Sequence, residues 1–292
     1  MLRRCDLRGR LQHVGGHELE SVAEGGRSRG ALHPSEVHEV LAKLLALTVS
    51  RLEAVGIEYC LIGGGCIGIA RHSGQMIPWD DDLDLAVWVD DIPKVIAALS
   101  GLPAPYGLHH EQPGATPFCR VTDRSTRLIG PDGSEWSIGI FLDLIPMMAW
   151  GSMGSIRLNQ MLQGFEPRDR VRFSRQRWKR VVKRLIYACR AERAVIAARD
   201  RVLCPQFIAE HQRRRSHRGG IVSGTIQTPW VGRYPWSTMF PTVPRELMGV
   251  RVQTPHDIQD FLVRRYGRDH SQIPPPERRW GHYSHAVRAA GA

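Results

Sequence analysis

Residues 57–85 read IEYCLIGGGCIGIARHSGQMIPWDDDLDL, and this stretch decides the fold. Its apolar beginning, residues 57–62, predicts a short buried strand that ends at three consecutive glycines. A short helix is predicted to begin at those glycines. Residues 83–89 predict a second strand, directly after a run of aspartates. The stretch therefore predicts the order strand, glycine turn, helix, strand.

Four aspartates occupy five positions where the second strand begins, namely Asp80, Asp81, Asp82 and Asp84. Such close like charges repel one another unless a cation neutralises them. Alternate residues of a strand share a face, so Asp82 and Asp84 are expected to present two carboxylates together, as suits Mg²⁺. A glycine turn before a helix suits a phosphate. Each feature alone is typical of a simple turn, but together they favour phosphoryl or nucleotidyl transfer.

Helices and strands alternate through the first half of the chain, which predicts an α+β (α/β-like) fold with a mixed sheet flanked by helices. Apolar residues at helical spacing predict one helix from the N-cap Ser35 to Gly56 and another over residues 92–99. Further elements are predicted as strands over residues 118–122 and 138–145 and as a late helix over 256–266.

The domain organisation follows from composition and order. Residues 1–33, rich in Gly, Arg and Ser, are predicted to be a disordered tail. Residues 34–292 are predicted to form a single domain, with a core (34–150), a basic helical insertion (171–220) and a C-terminal extension (221–292). The extension is predicted to become loose at its three consecutive prolines, 274–276.

The formal net charge of +11 over 292 residues is concentrated in one part of the chain. Residues 171–220 hold 15 basic and 3 acidic side chains, whereas the remainder holds 25 and 26. This distribution excludes a uniformly basic nucleic-acid coat. An amphipathic helix, or two, is predicted from residue 174 to about 203. Three interpretations stay open: a solvated helix face, a contact with anionic membrane over residues 172–190, and a nucleic-acid site, which we rank last because few aromatics accompany the charge.

The predicted compartment is the cytoplasm. The six cysteines form no CxxC pair, so reduced thiols are expected rather than a zinc site or a disulfide framework. The N-terminus lacks the apolar stretch of a secretory signal, and no apolar run approaches the ~18 residues that span a bilayer. A peripheral position at the inner face of the cytoplasmic membrane is the alternative.

Residues 63–85 resemble the signature of the LicD family of nucleotidyltransferase-fold phosphotransferases, which includes fukutin and fukutin-related protein. That signature reads roughly GGTLLGAVRH, a short spacer, and IPWDDDIDI. This chain departs from it at Gly65, where the family usually has a threonine. Two further stretches resemble the family, FLDLIP at residues 141–146 and the closing segment over residues 240–282, so the resemblance covers roughly residues 35–285. The matching signature residues are Gly63, Gly64, Ile67, Gly68, Arg71, His72, Pro78, Trp79, Asp80, Asp81, Asp82 and Asp84.

The resemblance implies a nucleotidyltransferase-type fold and a reaction. Such enzymes transfer a phospho-alcohol, such as phosphocholine or a polyol phosphate, from a CDP-linked donor to a hydroxyl of a glycan or glycolipid. It implies that Asp82, Asp84 and Asp143 are catalytic and hold Mg²⁺ (or Mn²⁺), with Asp80 as an outer ligand. For Asp143 two roles stay open, holding a second metal or accepting the hydroxyl proton. Substrate contacts are expected from Gly63, Gly64, Gly68, Arg71, His72, Arg279 and His282.

Two other functions stay open at this stage. A glycosyltransferase would use Asp82-Leu83-Asp84 to hold the metal of a sugar nucleotide. It would move a sugar and release a nucleoside diphosphate, whereas a CDP-alcohol transferase releases CMP. A non-catalytic protein would bind nucleic acid or membrane lipid through its basic helix, but the aspartates at positions 82, 84 and 143 argue against it.

Overall fold

A mixed β-sheet with helices packed against it is the centre of the computed structural model, which describes residues 30–111, 118–163, 181, 188–189, 191–225, 232–279 and 281–289. The strands are β1 (Tyr59–Ile62), β2 (Leu83–Trp88), β3 (Tyr106–Glu111), β4 (Phe118–Asp123), β5 (Thr126–Ile129), β6 (Phe141–Trp150), β7 (Ile221–Gly224), β8 (Tyr234–Pro235), β9 (Val243–Leu247), β10 (Val250–Thr254) and β11 (His285–Arg288). The described helices are α1 (Pro34–Ala54), α2 (Gly64–Arg71), α3 (Ile92–Leu99), α4 (Met153–Gln163), α5 (Glu192–Ala198), α6 (Cys204–Ser216), α7 (Trp236–Met239) and α8 (Ile258–Tyr266).

Seven strands form the main sheet, in the order β1-β2-β6-β4-β3, and β7 and β8 continue from the later half of β6. β2 and β6 run parallel, and the other neighbouring strands of this sheet run antiparallel. β9 pairs with β10, and β11 pairs with β5, in two small separate sheets. The predicted α+β fold with a mixed sheet is confirmed.

Helix α1 packs on the sheet because its apolar side chains recur every three to four residues. Leu41, Leu44, Leu45 and Leu52 are completely buried there, and burial of such a side chain stabilises the fold by roughly 1.5–3 kcal/mol. The helix contacts β4 and β6, while α2 contacts β1 and β2. Helix α2 therefore lies next to the strand that the aspartates precede.

The start of α1 differs from the prediction. Its N-cap is His33 rather than Ser35, because Pro34 is suited to the first helical position. The ring of His33 accepts a hydrogen bond from the Ser35 amide (3.3 Å), and Glu36 accepts one from the His33 amide (2.7 Å). This reciprocal arrangement is a capping box with histidine in place of the usual serine or threonine.

The C-terminal extension is ordered where it was predicted to be loose. A helical turn, Pro276–Arg278, follows the prolines, and strand β11 comes after it. β11 pairs with β5 and also receives Ala31 and Leu32 from the beginning of the described chain. The prediction of looseness was wrong because these backbone partners are distant in sequence.

Several other boundaries shift. β6 runs over Phe141–Trp150 instead of residues 138–145, since every residue up to Trp150 is buried. The basic helical segment extends past residue 203, through a π-helical turn at Arg199–Leu203 into α6. The first half of this segment, and most of the predicted tail, lie outside the described residues. Among the described residues, no helix combines the length and the apolar composition needed to cross a bilayer.

Candidate active site

Two parallel strands bring the predicted catalytic carboxylates together. Asp84 is the second residue of β2, and Asp143 is the third residue of β6. The register of the two strands places these two residues directly opposite each other. Asp82 lies immediately before β2, two positions from Asp84. The spacing of the sequence predicts that Asp82 and Asp84 lie together. The pairing of β2 with β6 brings Asp143 to the same end of these strands.

Burial and the neighbouring carboxylates raise the pKa values of the aspartates at this site. Burial raises the pKa of Asp84 well above its ordinary value, and the charges of Asp82 and Asp143 raise it further. Burial also raises the pKa of Asp80 to about 7, with added contributions from Asp82 and Asp81. For Asp143, burial raises the pKa to about 6 although Arg120 opposes the change. A divalent cation with oxygen ligands would relieve this repulsion, so the donor set fits Mg²⁺.

Glycines 63 and 64 lie against these carboxylates. Gly63 has a positive φ of 70°, and a Cβ there would lie 2.6 Å from Oδ2 of Asp84. A Cβ on Gly64, the first residue of α2, would overlap Oδ2 of Asp80. Position 63 therefore requires glycine because of its backbone conformation, whereas a side chain at position 64 would displace the Asp80 carboxylate. Their predicted contact with a phosphate stays a prediction, as does that of Gly68, where a Cβ would lie 2.5 Å from the Gln75 carbonyl oxygen.

His282 from the C-terminal extension lies between two of the aspartates. Its Nδ1 is 2.7 Å from Oδ1 of Asp81, and its Nε2 is 2.9 Å from Oδ2 of Asp82. Burial lowers the pKa of His282, but the hydrogen bonds and charges of the two aspartates outweigh it and raise the pKa to about 10. His282 is therefore a protein-borne cation at the acidic cluster. Ligand atoms of Asp80, Asp81, Asp82 and His282 all lie within 4.8 Å of one another.

Asp81 holds the extension in place. Its Oδ2 accepts the backbone N–H groups of His282 (2.5 Å) and Tyr283 (3.3 Å), and the Tyr283 hydroxyl donates to the Asp81 carbonyl oxygen (3.2 Å). A Cβ on Gly281 would overlap the same carboxylate, so a side chain at that position would displace Asp81. Asp81 therefore joins residues 281–283 to the acidic motif.

We expect His282→Gln to flatten the dependence of stability on pH. Because the folded-state pKa of His282 is about 10, against about 6.5 when unfolded, its contribution is complete below about pH 6.5. That contribution declines as pH rises and is lost above about pH 10. Urea unfolding at pH 6, 8 and 10 measures the effect. The exposed control His256→Gln is expected to show the same pH dependence as the wild type. If the free energy of unfolding of His282→Gln fell with pH as much as that of the wild type, the pairing of His282 with Asp81 and Asp82 would be contradicted.

Arg71 and Arg279 also join the extension to the motif, and His72 contacts Arg71. Arg71 donates from Nη1 to the carbonyl oxygens of His270 (2.9 Å) and Gln272 (2.8 Å), and from Nε to His72 Nε2 (3.1 Å). The guanidinium carbon of Arg279 lies 4.7 Å from the centroid of the Trp79 ring. These contacts are structural, and the predicted contacts of the three side chains with substrate stay predictions.

Sequence reasoning missed Arg120 and the role of Asp81. Arg120 lies on β4, where its Nε donates to Oδ1 of Asp143 at 2.7 Å. An arginine within the strand predicted at residues 118–122 was the available signal, because a charged side chain that is buried needs a partner. The partner becomes evident only from the pairing of β4 with β6.

Comparison with known proteins finds a family similarity over part of the chain. Residues 56–138 match the family described as LicD/FKTN/FKRP, nucleotidyltransferase domain. The resemblance to the LicD family is therefore confirmed. The LicD match includes the glycine turn and the aspartate run, and it ends before Asp143 and the C-terminal extension. The proposed family counterparts at residues 141–146 and 240–282 thus stay predictions.

Two relatives resemble a short part of this chain. The proteins named "Ribitol 5-phosphate transferase FKRP" from Mus musculus and from Homo sapiens are each 50% identical to this chain over 44 residues. The aligned stretch covers 15% of this chain and 9% of each relative. The chain thus matches less than a tenth of the length of these relatives.

Proposed function

We propose that this LicD-like chain is a Mg²⁺-dependent transferase with a nucleotidyltransferase-type fold. It moves a phospho-alcohol, phosphocholine or a polyol phosphate, from a CDP-linked donor to a hydroxyl of a cell-surface glycan or glycolipid precursor, and CMP is released. The observation that carries the proposal is the convergence of Asp82, Asp84 and Asp143. Asp82, Asp84 and the glycine turn beside them lie in the segment that matches the family, and β6 brings Asp143 to them from outside that segment.

The proposed roles follow from the contacts of each side chain. Oxygens of Asp82, Asp84 and Asp143 would hold Mg²⁺, which when bound neutralises charge on the donor diphosphate. The glycine turn admits a phosphate group close to the backbone. In the reaction, a bond forms between the acceptor oxygen and phosphorus while the bond from phosphorus to CMP breaks. The hydroxyl proton would pass to Asp143, unless that residue holds a second metal, and Asp80 would be an outer ligand of the metal.

The relatives support a polyol phosphate as the transferred group. Both are named as ribitol 5-phosphate transferases, and the similarity includes less than a tenth of their length. Phosphocholine therefore stays in the proposal as a second alcohol. A cytoplasmic position with peripheral contact to anionic membrane through residues 172–190 is part of the same proposal, since a lipid-linked acceptor would lie there. Most of that stretch is outside the described residues.

A donor screen tests the proposed reaction. The full chain is incubated with Mg²⁺ and, in turn, CDP-ribitol, CDP-glycerol, CDP-choline and sugar nucleotides, with and without a glycan acceptor. Release of CMP is expected with at least one CDP-alcohol, and chelation with EDTA is expected to abolish it. Release of a nucleoside diphosphate from a sugar nucleotide would indicate the glycosyltransferase alternative. No turnover of any CDP-alcohol would contradict the proposal.

A further inference from the structure

Arg120 and Asp143 form a buried ion pair across the sheet. β4 runs antiparallel to β6, and its register places Arg120 directly opposite Asp143. Arg120 Nε is 2.7 Å from Oδ1 of Asp143, and each side chain is only 8% exposed. Asp143 is itself opposite Asp84 on the other side of β6. The three residues therefore lie in one row across β4, β6 and β2.

A second contact restrains the guanidinium. The carbon at its centre lies 4.6 Å from the centroid of the Phe141 ring. Phe141 is two residues before Asp143 on β6, so their side chains share one face of the strand. The guanidinium thus contacts both a carboxylate and an aromatic ring on that face. A planar, rigid donor group restrained in this way fixes the orientation of the carboxylate it binds.

A buried pair of this kind needs an explanation beyond stability. Removing two charges from water is costly, and apolar residues of similar volume often stabilise a protein as well or better. Among the described residues, Asp84 forms no ion pair, although it lies opposite Asp143. Within the proposed metal-binding set, Asp143 thus pairs with Arg120, and Asp82 pairs with His282.

We propose that Arg120 is a positioning residue that orients the Asp143 carboxylate for binding a divalent cation. The inference rests on the proposed function, because it assumes a metal at Asp82, Asp84 and Asp143. Arg120 acts through Asp143, to which its Nε donates a hydrogen bond. Partners that orient a ligand in this way typically contribute about 10- to 100-fold to metal affinity or activity.

The test is a double-mutant cycle on metal binding, with Mn²⁺ alone as the probe. Free Mn²⁺ is measured by electron paramagnetic resonance for the wild type, Arg120→Met, Arg120→Lys, Asp143→Asn and the double variant Arg120→Met/Asp143→Asn. Circular dichroism checks that each is folded. Arg127→Met, which removes an arginine from a more exposed pair with Glu135, is the matched control.

Arg120→Met is expected to weaken Mn²⁺ binding about 10- to 100-fold. The Arg120→Lys variant is expected to recover only part of this loss, because an ammonium group retains the charge but lacks the planar donor geometry. In the Asp143→Asn background, loss of Arg120 is expected to have no further effect, because the two residues act as one unit. Arg127→Met should bind as the wild type does.

Three outcomes would overturn the inference. The first is an Arg120→Met variant that binds Mn²⁺ as tightly as the wild type does. If the methionine variant does not fold, the same result for Arg120→Lys would overturn the inference. The second is a loss of Mn²⁺ affinity on Arg120→Met that is equally large in the wild-type and the Asp143→Asn backgrounds. A wild type that binds no Mn²⁺ would refute both this inference and the metal-dependent function. Turnover of a CDP-alcohol by the wild type, together with unchanged Mn²⁺ affinity in the Arg120 variants, would refute the positioning role alone.

Discussion

Asp84→Asn is expected to reduce turnover of the CDP-linked donor at least about 100-fold while making the folded protein more stable at neutral pH. Activity falls because a carboxylate ligand of the proposed Mg²⁺ site is lost. Stability rises because Asp84 is forced to share a buried region with Asp82 and Asp143, which raise its pKa together with burial. The amide has nearly the same shape and carries no charge.

The sign of the pH dependence follows from the direction of that pKa shift. A carboxyl group whose pKa is higher in the folded state keeps its proton in the fold while the unfolded chain loses it above about pH 4. The free energy of unfolding therefore falls as pH rises above about 4. The Tm of Asp84→Asn should thus equal that of the wild type at about pH 3.5 and exceed it increasingly towards pH 8. Thermal unfolding across this range measures it.

An exposed aspartate provides the control for this variant. Asp269→Asn, on the surface of the C-terminal extension, is expected to leave both turnover and Tm unchanged. Added Mg²⁺ should raise the Tm of the wild type more than that of Asp84→Asn, because binding to the folded state stabilises it. Full activity of Asp84→Asn, or a lower Tm at pH 8, would contradict the assignment of Asp84 to the site.

Gly63→Ala is expected both to destabilise the protein and to inactivate it. The backbone of Gly63, at φ 70° and ψ −145°, is in a region that side chains rarely adopt, and such strain is worth about 1–3 kcal/mol. The added Cβ would also lie 2.6 Å from Oδ2 of Asp84, so the carboxylate must move. Urea unfolding and turnover of the CDP-linked donor measure the two effects.

The control variant Gly56→Ala separates the effect of backbone strain from that of the contact with Asp84. Gly56 also has a positive φ, 68°, and a Cβ there would meet nothing within 4 Å. The Gly56→Ala variant should lose some stability through backbone strain but retain activity and the wild-type affinity for Mn²⁺. If Gly63→Ala retained activity to the same extent, the glycine turn would have no part in the site.

Local sequence patterns predicted the centre of this structure well. The repeat of apolar residues along α1 and the glycine turn before α2 depend on neighbours within a few positions, and both were recognised. The spacing of Asp82 and Asp84 placed them together for the same reason. Errors arose where distant partners decide the outcome. Residues 285–288, at the end of the supposedly loose extension, form β11 by pairing with β5.

The sequence by itself determined the LicD-like glycine turn, the acidic run and the strand after it, because their geometry depends on spacings of two to four residues. Only the tertiary structure decided which groups meet there. The parallel register of β2 and β6 brings Asp143 to Asp84, and β4 brings Arg120 to Asp143. His282 reaches Asp81 across 201 positions of the chain. Registers and contacts of this range depend on packing of the whole core, which no short stretch specifies.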